Sequence, residues 1–309
     1  MTLIKFNVKP LIEALRPSQW IKNLVLYAAI MFNGQLLTGD LFFKTSIGFI
    51  VFCSLSSAAY LFNDVADMAK DRLHPVKKNR PIARGDLSKS TAINASIFLI
   101  LLGIGLSTYL NIGFFLLSLT FIFLQVAYSF MLKKKAVFDI IGIAIFFIIR
   151  AYAGEVATGY HLPIWMMLSV IFMSLFIASG KRRSELYVSG TKARSALKGY
   201  GKALLSFYTT MFGVTTLIAY SMFTFTEEPI NFEGQIHNFL LANIPNALNR
   251  RWYMITIFPV IFGIMRYGQI IFEMQEGERP EKVITTDIPL LLALFVWGLM
   301  MVTIIYALK

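Results

Sequence analysis

Asn63, Asp64, Asp67 and Asp71 succeed one another at spacings of one, three and four residues in the stretch NDVADMAKD. On a helix of about 3.6 residues per turn, those spacings place all four side chains on one face along two turns. A row of carboxylates with no counter-charge among them repels itself. The pattern therefore makes physical sense as oxygen ligands for a hard cation such as Mg2+, bridging the protein to the phosphates of a substrate. Asp64, Asp67 and Asp71 are the expected catalytic carboxylates. Arg72, His74, Lys77, Lys78, Arg80 and Arg84 follow directly, with Pro75 and Pro81 breaking the helix. A metal row thus runs straight into a basic loop able to bind phosphate. A solvated helix cap with a topological basic loop is the alternative, and it leaves four oxygen ligands on one face unexplained.

Further stretches carry charge where chemistry can use it. In YSFMLKKKAVFD, Tyr128, Lys133, Lys134 and Asp139 supply a phenol donor, cations and a carboxylate. Arg150 lies inside an apolar run, in IIRAYAGE, five residues before Glu155; intramembrane charge marks a site by default, either for a substrate phosphate or for an acidic side chain. GKRRSEL brings Lys181, Arg182 and Glu185, with Lys192 and Arg194 beyond, and arginine forks match phosphate oxygens two at a time. In RPSQWIKN the apolar run that follows, Leu24 to Phe32, is too short to cross a bilayer, so Lys22 and Asn23 lie in or at the edge of the span and face a polar cavity. Snorkelling of Lys22 to the interface is the competing reading. His161 and His237 stand apart from these groups and are read as structural.

The elements that position these residues must be membrane helices. Of 309 residues, 57% are hydrophobic and only 15% charged, far from the balance of a soluble domain. Spans of about 20 apolar residues are expected at Pro17–Leu37, Leu41–Phe62, Thr91–Leu110, Ile112–Leu132, Ala136–Ala157, Leu162–Ser179, Ala203–Phe225, Trp252–Phe272 and Ile288–Leu308, an all-α bundle of nine transmembrane helices. No removable leader is expected, because Lys5, Lys9 and Glu13 precede any apolar run. Of the 29 lysines and arginines, all but Lys44, Arg150, Arg250, Arg251 and Lys309 fall on one side of that topology. The positive-inside rule then sets the N-terminus in the cytoplasm and the C-terminus outside. The net charge of +12 is one-sided and suits anionic headgroups or anionic substrates; nothing in it calls for nucleic acid. Cys53, the single cysteine, is read as a small buried hydrophobe. Ile236, Leu240, Ile244 and Leu248 suggest an interfacial helix interrupted by Pro245. Glu278 to Asp287 are placed to cap the last helix or to close the site. No linker divides the chain, so residues 1–309 are expected to form one transmembrane domain.

The pattern NDxxDxxxD followed by RxxP resembles the first aspartate-rich motif of the UbiA superfamily of membrane prenyltransferases, in which that motif holds Mg2+ against a diphosphate. Together with RPSQWIKN, YSFMLKKKAVFDI, IIRAYAGE, GKRRSEL and RPEKVITTD, it is similar to the decaprenyl-phosphate phosphoribosyltransferase branch, and the resemblance covers essentially the whole chain. Many relatives that transfer a prenyl group carry a second aspartate-rich motif in the third basic loop; here no Asp stands between Gly180 and Lys202. The resemblance implies a UbiA-like bundle in the cell membrane with a cytoplasmic-side cavity. It also implies Mg2+-dependent transfer of 5-phosphoribose from phosphoribosyl pyrophosphate (PRPP) to a polyprenyl phosphate, feeding arabinose donors for cell-wall polymers. On that reading Asn63, Asp64, Asp67 and Asp71 hold the metal and Lys133, Lys134, Lys181 and Arg182 the donor phosphates, with Tyr128 and Asp139 beside them. Lys22, Asn23 and Arg150 reach the lipid phosphate, and Glu185 binds a ribose hydroxyl or orients Arg182. The runner-up is transfer of a prenyl group from its diphosphate to an aromatic acceptor. A transporter with a basic vestibule is a third reading, disfavoured by the metal face.

Overall fold

Long runs of leucine, isoleucine and phenylalanine placed in a bilayer must close their own backbone hydrogen bonds, and the helix does so within one segment. Every regular element among the described residues is accordingly helical. The computed structural model describes residues 8–73, 77–190, 195–228, 234–274, 277 and 280–308. His74, Pro75, Lys192, Arg194, Glu278 and the side chain of His237 lie outside the described residues.

In chain order the helices are α1 (Lys9–Leu15), α2 (Ala28–Phe32), α3 (Gly39–Ala66), α4 (Met68–Arg72), α5 (Pro81–Arg84), α6 (Lys89–Leu110), α7 (Ile112–Phe130), α8 (Phe138–Thr158), α9 (Ile164–Ser189), α10 (Lys202–Thr226), α11 (Gly234–Asn243), α12 (Ile257–Gln269), α13 (Pro280–Thr286) and α14 (Ile288–Val302). A 3₁₀ turn, Trp252–Thr256, and a π turn, Ile270–Met274, extend α12, and a π turn, Thr303–Ala307, extends α14. Among the described residues eight helices are long and apolar enough to cross a membrane: α3, α6 to α10, and those built around α12 and α14. The protein is a multi-pass membrane protein.

The expected first span is different in kind. Pro17–Tyr27 winds as a 3₁₀ helix of 11 residues and passes into the 5 residues of α2. At roughly 2.0 Å per residue for 3₁₀ and 1.5 Å for α, this stretch is about 30 Å long, the thickness of the hydrocarbon core. The tighter winding stretches a short apolar run further than an α-helix would. Where nine membrane helices are expected, the described residues hold eight long ones, and the first expected span is this shorter, tighter stretch.

Its two ends are pinned to opposite ends of the bundle. Asn33 Nδ2 donates to the His161 carbonyl at 2.8 Å, and the Leu36 amide donates to Tyr306 Oη at 3.0 Å. At the other end Trp20 Nε1 donates to Ser57 Oγ at 3.0 Å, which in turn donates to the Leu15 carbonyl at 2.9 Å. Small residues let it sit close to α3 and α8. A Cβ on Gly154 would stand 2.1 Å from the Leu26 carbonyl oxygen, so only glycine fits that crossing.

α3 and α8 are the most enclosed long helices, whereas α6 and α7 turn most of their surface outward, as their featureless apolar sequences suggest. Asn111 caps α7, accepting from the Phe114 amide, and also donates to the Val156 carbonyl, tying the α6–α7 turn to the end of α8. Asp287 caps α14 by accepting from the Leu290 amide at 2.9 Å, as its position in the sequence suggests. The expected interfacial helix is α11, which stops at Asn243 and gives way to a 3₁₀ turn at Pro245–Ala247.

Candidate active site

The aspartate row stands where α3 ends. The backbone departs from the α-helix at Asp67 (φ −92°, ψ 2°) before α4 resumes, but the Asp67 amide still bonds the Asn63 carbonyl and the Asp71 amide the Asp67 carbonyl. The helical repeat survives the kink, and Asn63, Asp64, Asp67 and Asp71 all line one cavity of about 910 Å³. Lys22, Lys77, Arg80, Tyr128, Lys133, Arg150, Lys181, Arg182 and Glu185 line the same cavity. Residues from six separate stretches of sequence thus converge.

The row is not free of counter-charge, as its sequence alone suggests. Arg16 Nη2 donates to both oxygens of Asp64, at 2.6 and 2.7 Å. Arg80 Nη1 bridges Asp64 at 3.0 Å and Asp71 at 2.7 Å. Lys133 Nζ donates to Asp67 Oδ2 at 2.8 Å. These cations, distant in sequence, remove the self-repulsion. Among the described residues no three acidic, histidine or cysteine side chains form a closed metal cage. An open set remains: Asn63 Oδ1 is buried and accepts no hydrogen bond, and Asp67 is the most exposed of the three aspartates. Oxygen donors of this kind suit a Mg2+ ion that shares its shell with substrate phosphates, because that ion is usually held by only one or two carboxylates.

Arg16 was not singled out from sequence, and its backbone explains its reach. The residue before a proline is disfavoured in the α conformation, so α1 cannot run on into Pro17. Arg16 instead adopts a left-handed conformation (φ 55°, ψ 62°), and its guanidinium lies over the Tyr60 ring at 4.9 Å, beside Asp64. From there the 3₁₀ repeat of three sets the pattern. Arg16, Gln19, Lys22 and Val25 all line the cavity. Asn23 and Leu26, also three apart, are buried away from it.

Four expected site residues therefore lie outside the cavity. Asn23 accepts from Arg150 Nε at 2.6 Å and donates to Cys53 Sγ at 3.2 Å, so it orients Arg150. Asp139 is wholly buried; it accepts from Arg182 Nε at 2.5 Å and from Tyr200 Oη at 2.7 Å. Burial and that carboxylate push the Tyr200 phenol well above its ordinary range, so it stays a donor. Arg72 turns back to the Ala83 carbonyl at 3.1 Å, clamping α4 to α5. Lys134 is exposed, one position past the turn that aims Lys133 inward.

On the opposite wall Arg182 is fully engaged. Besides Asp139, its guanidinium donates to Glu185 Oε2 at 2.6 Å and to Tyr128 Oη at 3.2 Å. Glu185 thus orients Arg182. Arg183, next in sequence, leaves the site altogether, donating to Ser206 and to the Ile271 carbonyl between aromatic rings of Tyr187 and Phe272. Arg150 does not pair with Glu155. It donates to Asn23, to Ser56 Oγ at 3.2 Å and to the Phe146 carbonyl at 2.9 Å, neutral acceptors all. Glu155 faces the other end of α8, accepting from the Leu162 amide and meeting His161 Nδ1 at 3.1 Å. The site also has an acid that sequence reading placed only within a capping or closing segment: Glu281 of α13 lines the cavity, 3.7 Å from Lys22 Nζ.

A membrane-embedded bundle with an aspartate row and cations around one cavity is an architecture for handling phosphorylated lipids. The chain belongs to the UbiA prenyltransferase family, whose model matches residues 24–232. Over 297 residues it is 34% identical to the decaprenyl-phosphate phosphoribosyltransferase of Mycolicibacterium smegmatis, covering 94% of this chain and 90% of that one. The enzyme of the same name from Corynebacterium glutamicum is 33% identical over 303 residues, 96% of this chain and 86% of that one. Among solved structures, a UbiA homolog from Archaeoglobus fulgidus bound to GPP and Mg2+ shares the fold with a TM-score of 0.69 at 18% identity, covering 97% of this chain and 99% of that one.

Proposed function

We propose that this protein is a polyprenyl-phosphate phosphoribosyltransferase, moving 5-phosphoribose from PRPP to a polyprenyl phosphate with release of pyrophosphate. The observation that carries this reading is the division of the cavity's cations into three places. Arg16, Arg80 and Lys133 bond the aspartate row, with Lys77 on the same cavity. Lys22 and Lys181 stand close to each other and to Glu281, and Arg150 is held in α8 by neutral acceptors only. Phosphoribosyl transfer brings three phosphate-bearing groups into one site: a pyrophosphate, a 5-phosphate and a lipid phosphate. Prenyl transfer to an aromatic acceptor brings a single diphosphate. The near full-length similarity to phosphoribosyltransferases supports the same choice.

Asn63 and Asp67, backed by Asp64 and Asp71, would hold Mg2+, which when bound neutralises oxygens of the pyrophosphate. Lys133, Arg80 and Lys77 stabilise the charge that builds on the leaving pyrophosphate, in a site where fixed charges are worth more than in water. Lys22 and Lys181 bind the 5-phosphate, while Arg182, already saturated, keeps the wall in shape. Arg150 draws the lipid phosphate to the cavity floor, and Ile21, Val25, Phe147 and Ile177 give the isoprenoid an apolar wall. A lipid phosphate oxygen then attacks carbon 1 of the ribose as the bond from carbon 1 to the pyrophosphate oxygen breaks, and the departing pyrophosphate oxygen keeps the electron pair of that bond. The phosphomonoester, with a second pKa of about 6, is already ionised near neutrality and needs no general base. On this reading the lysine- and arginine-rich face is cytoplasmic and the C-terminus lies outside the cell membrane, an orientation that the distribution of charge supports.

Purified protein with labelled PRPP and polyprenyl phosphate should place label in the lipid fraction and release pyrophosphate, and a chelator should stop both. Asp67→Ala should lower that rate about 100-fold or more while the protein still elutes as a folded species in detergent. Full activity in Asp67→Ala would sink the metal assignment. A prenylated product from polyprenyl diphosphate and 4-hydroxybenzoate, with no labelled lipid, would overturn the phosphoribosyl reading.

A further inference from the structure

Two buried acceptor atoms on the cavity wall receive no hydrogen bond: Asn63 Oδ1 and Glu281 Oε2. Asn63 belongs to the aspartate row. Glu281 belongs to a different wall, on α13, and the cavity's other carboxylates named above are each already bonded by an arginine or lysine. Its contact with Lys22, at 3.7 Å, is an attraction of charge too long for a hydrogen bond; the Lys22 ammonium instead donates to Gln19 Oε1 at 2.5 Å. Burial alone would raise the Glu281 carboxyl, but Lys22 and Lys181, with hydrogen bonds from the Glu281 backbone and from Gln19, together outweigh it and hold the group below the ordinary carboxylate range. An ionised carboxylate is thus maintained, with an acceptor atom open, inside a cavity whose other features suit polyanions.

Negative charge beside phosphate is unfavourable unless the ligand brings a donor to it. Pyrophosphate and a polyprenyl phosphate carry only acceptors once ionised, and so does a prenyl diphosphate. The hydroxyls of a pentose are the donors available. Glu185 is unsuited to the task because Arg182 holds it. We infer that Glu281 accepts a hydrogen bond from a ribose hydroxyl of the donor substrate, and that it is the residue by which the site selects a phosphorylated pentose over a prenyl diphosphate. This inference rests on the phosphoribosyl reading and adds to it the part of the substrate that α13 recognises. A site built to bond a hydroxyl rejects the analogue lacking it, because its own buried acceptor is then left unpaired.

The test is competition by ribose 5-phosphate and by its 2-deoxy and 3-deoxy forms, measured beside pyrophosphate binding, in the full-length protein. Wild type should bind ribose 5-phosphate about tenfold or more tightly than one of the deoxy forms. Glu281→Gln should narrow that ratio and Glu281→Ala should bring it to about one, with pyrophosphate affinity kept within about threefold. A wild-type ratio near one, or a ratio unchanged in both variants, overturns the inference while leaving the phosphoribosyl reading intact. Loss of pyrophosphate binding in both variants overturns it too, by assigning Glu281 to holding the lysines. Wild type that binds neither ribose 5-phosphate nor pyrophosphate overturns the reading on which the inference stands.

Discussion

Arg182 and Arg150 line the same cavity from adjacent helices, and both are almost wholly buried, at 1% and 4% exposure. Their charges are treated in opposite ways. Arg182 is matched by two carboxylates and a phenol, with Tyr200 bracing one carboxylate from behind. Arg150 meets an amide oxygen, a hydroxyl and a carbonyl, and lies over the Phe121 ring at 4.9 Å. A buried cation neutralised inside the protein has little field left for a ligand, whereas one held by neutral dipoles keeps its charge available to an anion. The first arginine builds the wall, and the second is poised for a phosphate.

The largest effect should come from Arg182→Met, which leaves Asp139 and Glu185 buried without their cation. Breaking a buried pair by removing one partner costs about 3–5 kcal/mol, so unfolding in detergent should shift strongly downward and activity should fall with it. Arg182→Lys should not rescue it, because a single ammonium cannot replace three nitrogens fixed in one plane. A stable, active Arg182→Met protein would show that the network is ornamental to the fold. Arg150→Met reverses the pattern. It removes a charge that no carboxylate needs, at a stability cost of about 1–2 kcal/mol for the acceptors left behind. KM for the lipid phosphate should rise about 10- to 100-fold, the range of a lost charged hydrogen bond. A change in KM for PRPP alone would move Arg150 from the lipid to the donor.

What could be read from sequence was local. The aspartate row, the basic loop and the intramembrane Arg150 announce themselves by residue type and spacing within a few turns of one helix, and the long helices by unbroken apolarity. Pairings over long separations were not legible: Arg16 with Asp64, 48 residues apart, and Tyr200 with Asp139, 61 apart, follow from how the bundle closes. Asn23 was misread for a different reason. In an α-helix Lys22 and Asn23 are neighbours on a broad polar arc, but in the 3₁₀ helix each repeats every third residue, which sends Lys22 to the cavity and Asn23 to the core. Glu281 was hidden because a lone acid in an acidic loop has no pattern until the lysines it faces are known.

A third arginine sharpens the contrast at its weak end. Arg266 grips Asp287 with two nitrogens, Nε to Oδ1 at 3.1 Å and Nη2 to Oδ2 at 2.7 Å, where α13 meets α14 at the edge of the bundle. Arg182 gives Asp139 only its Nε, so the Arg266 grip is the fuller one, but the pair is far less buried; water screens it and its contribution to stability is the smallest of the three. The hydrogen bonds from Arg266 hold the Asp287 carboxyl below its ordinary range. A carboxyl depressed in the folded protein contributes stability that is complete above the unfolded value, about 3.9 for Asp, and is lost as pH falls through the lower folded value. Asp287→Asn keeps the cap on α14, since asparagine also accepts from the Leu290 amide, and removes only the charge. Thermal unfolding of wild type and variant should therefore differ slightly and by a constant amount from pH 8 to 5, and converge below about pH 4. A difference that closes between pH 7 and 5.5 would trace instead to a group titrating like a histidine, and would rule out the Arg266–Asp287 pair as its source.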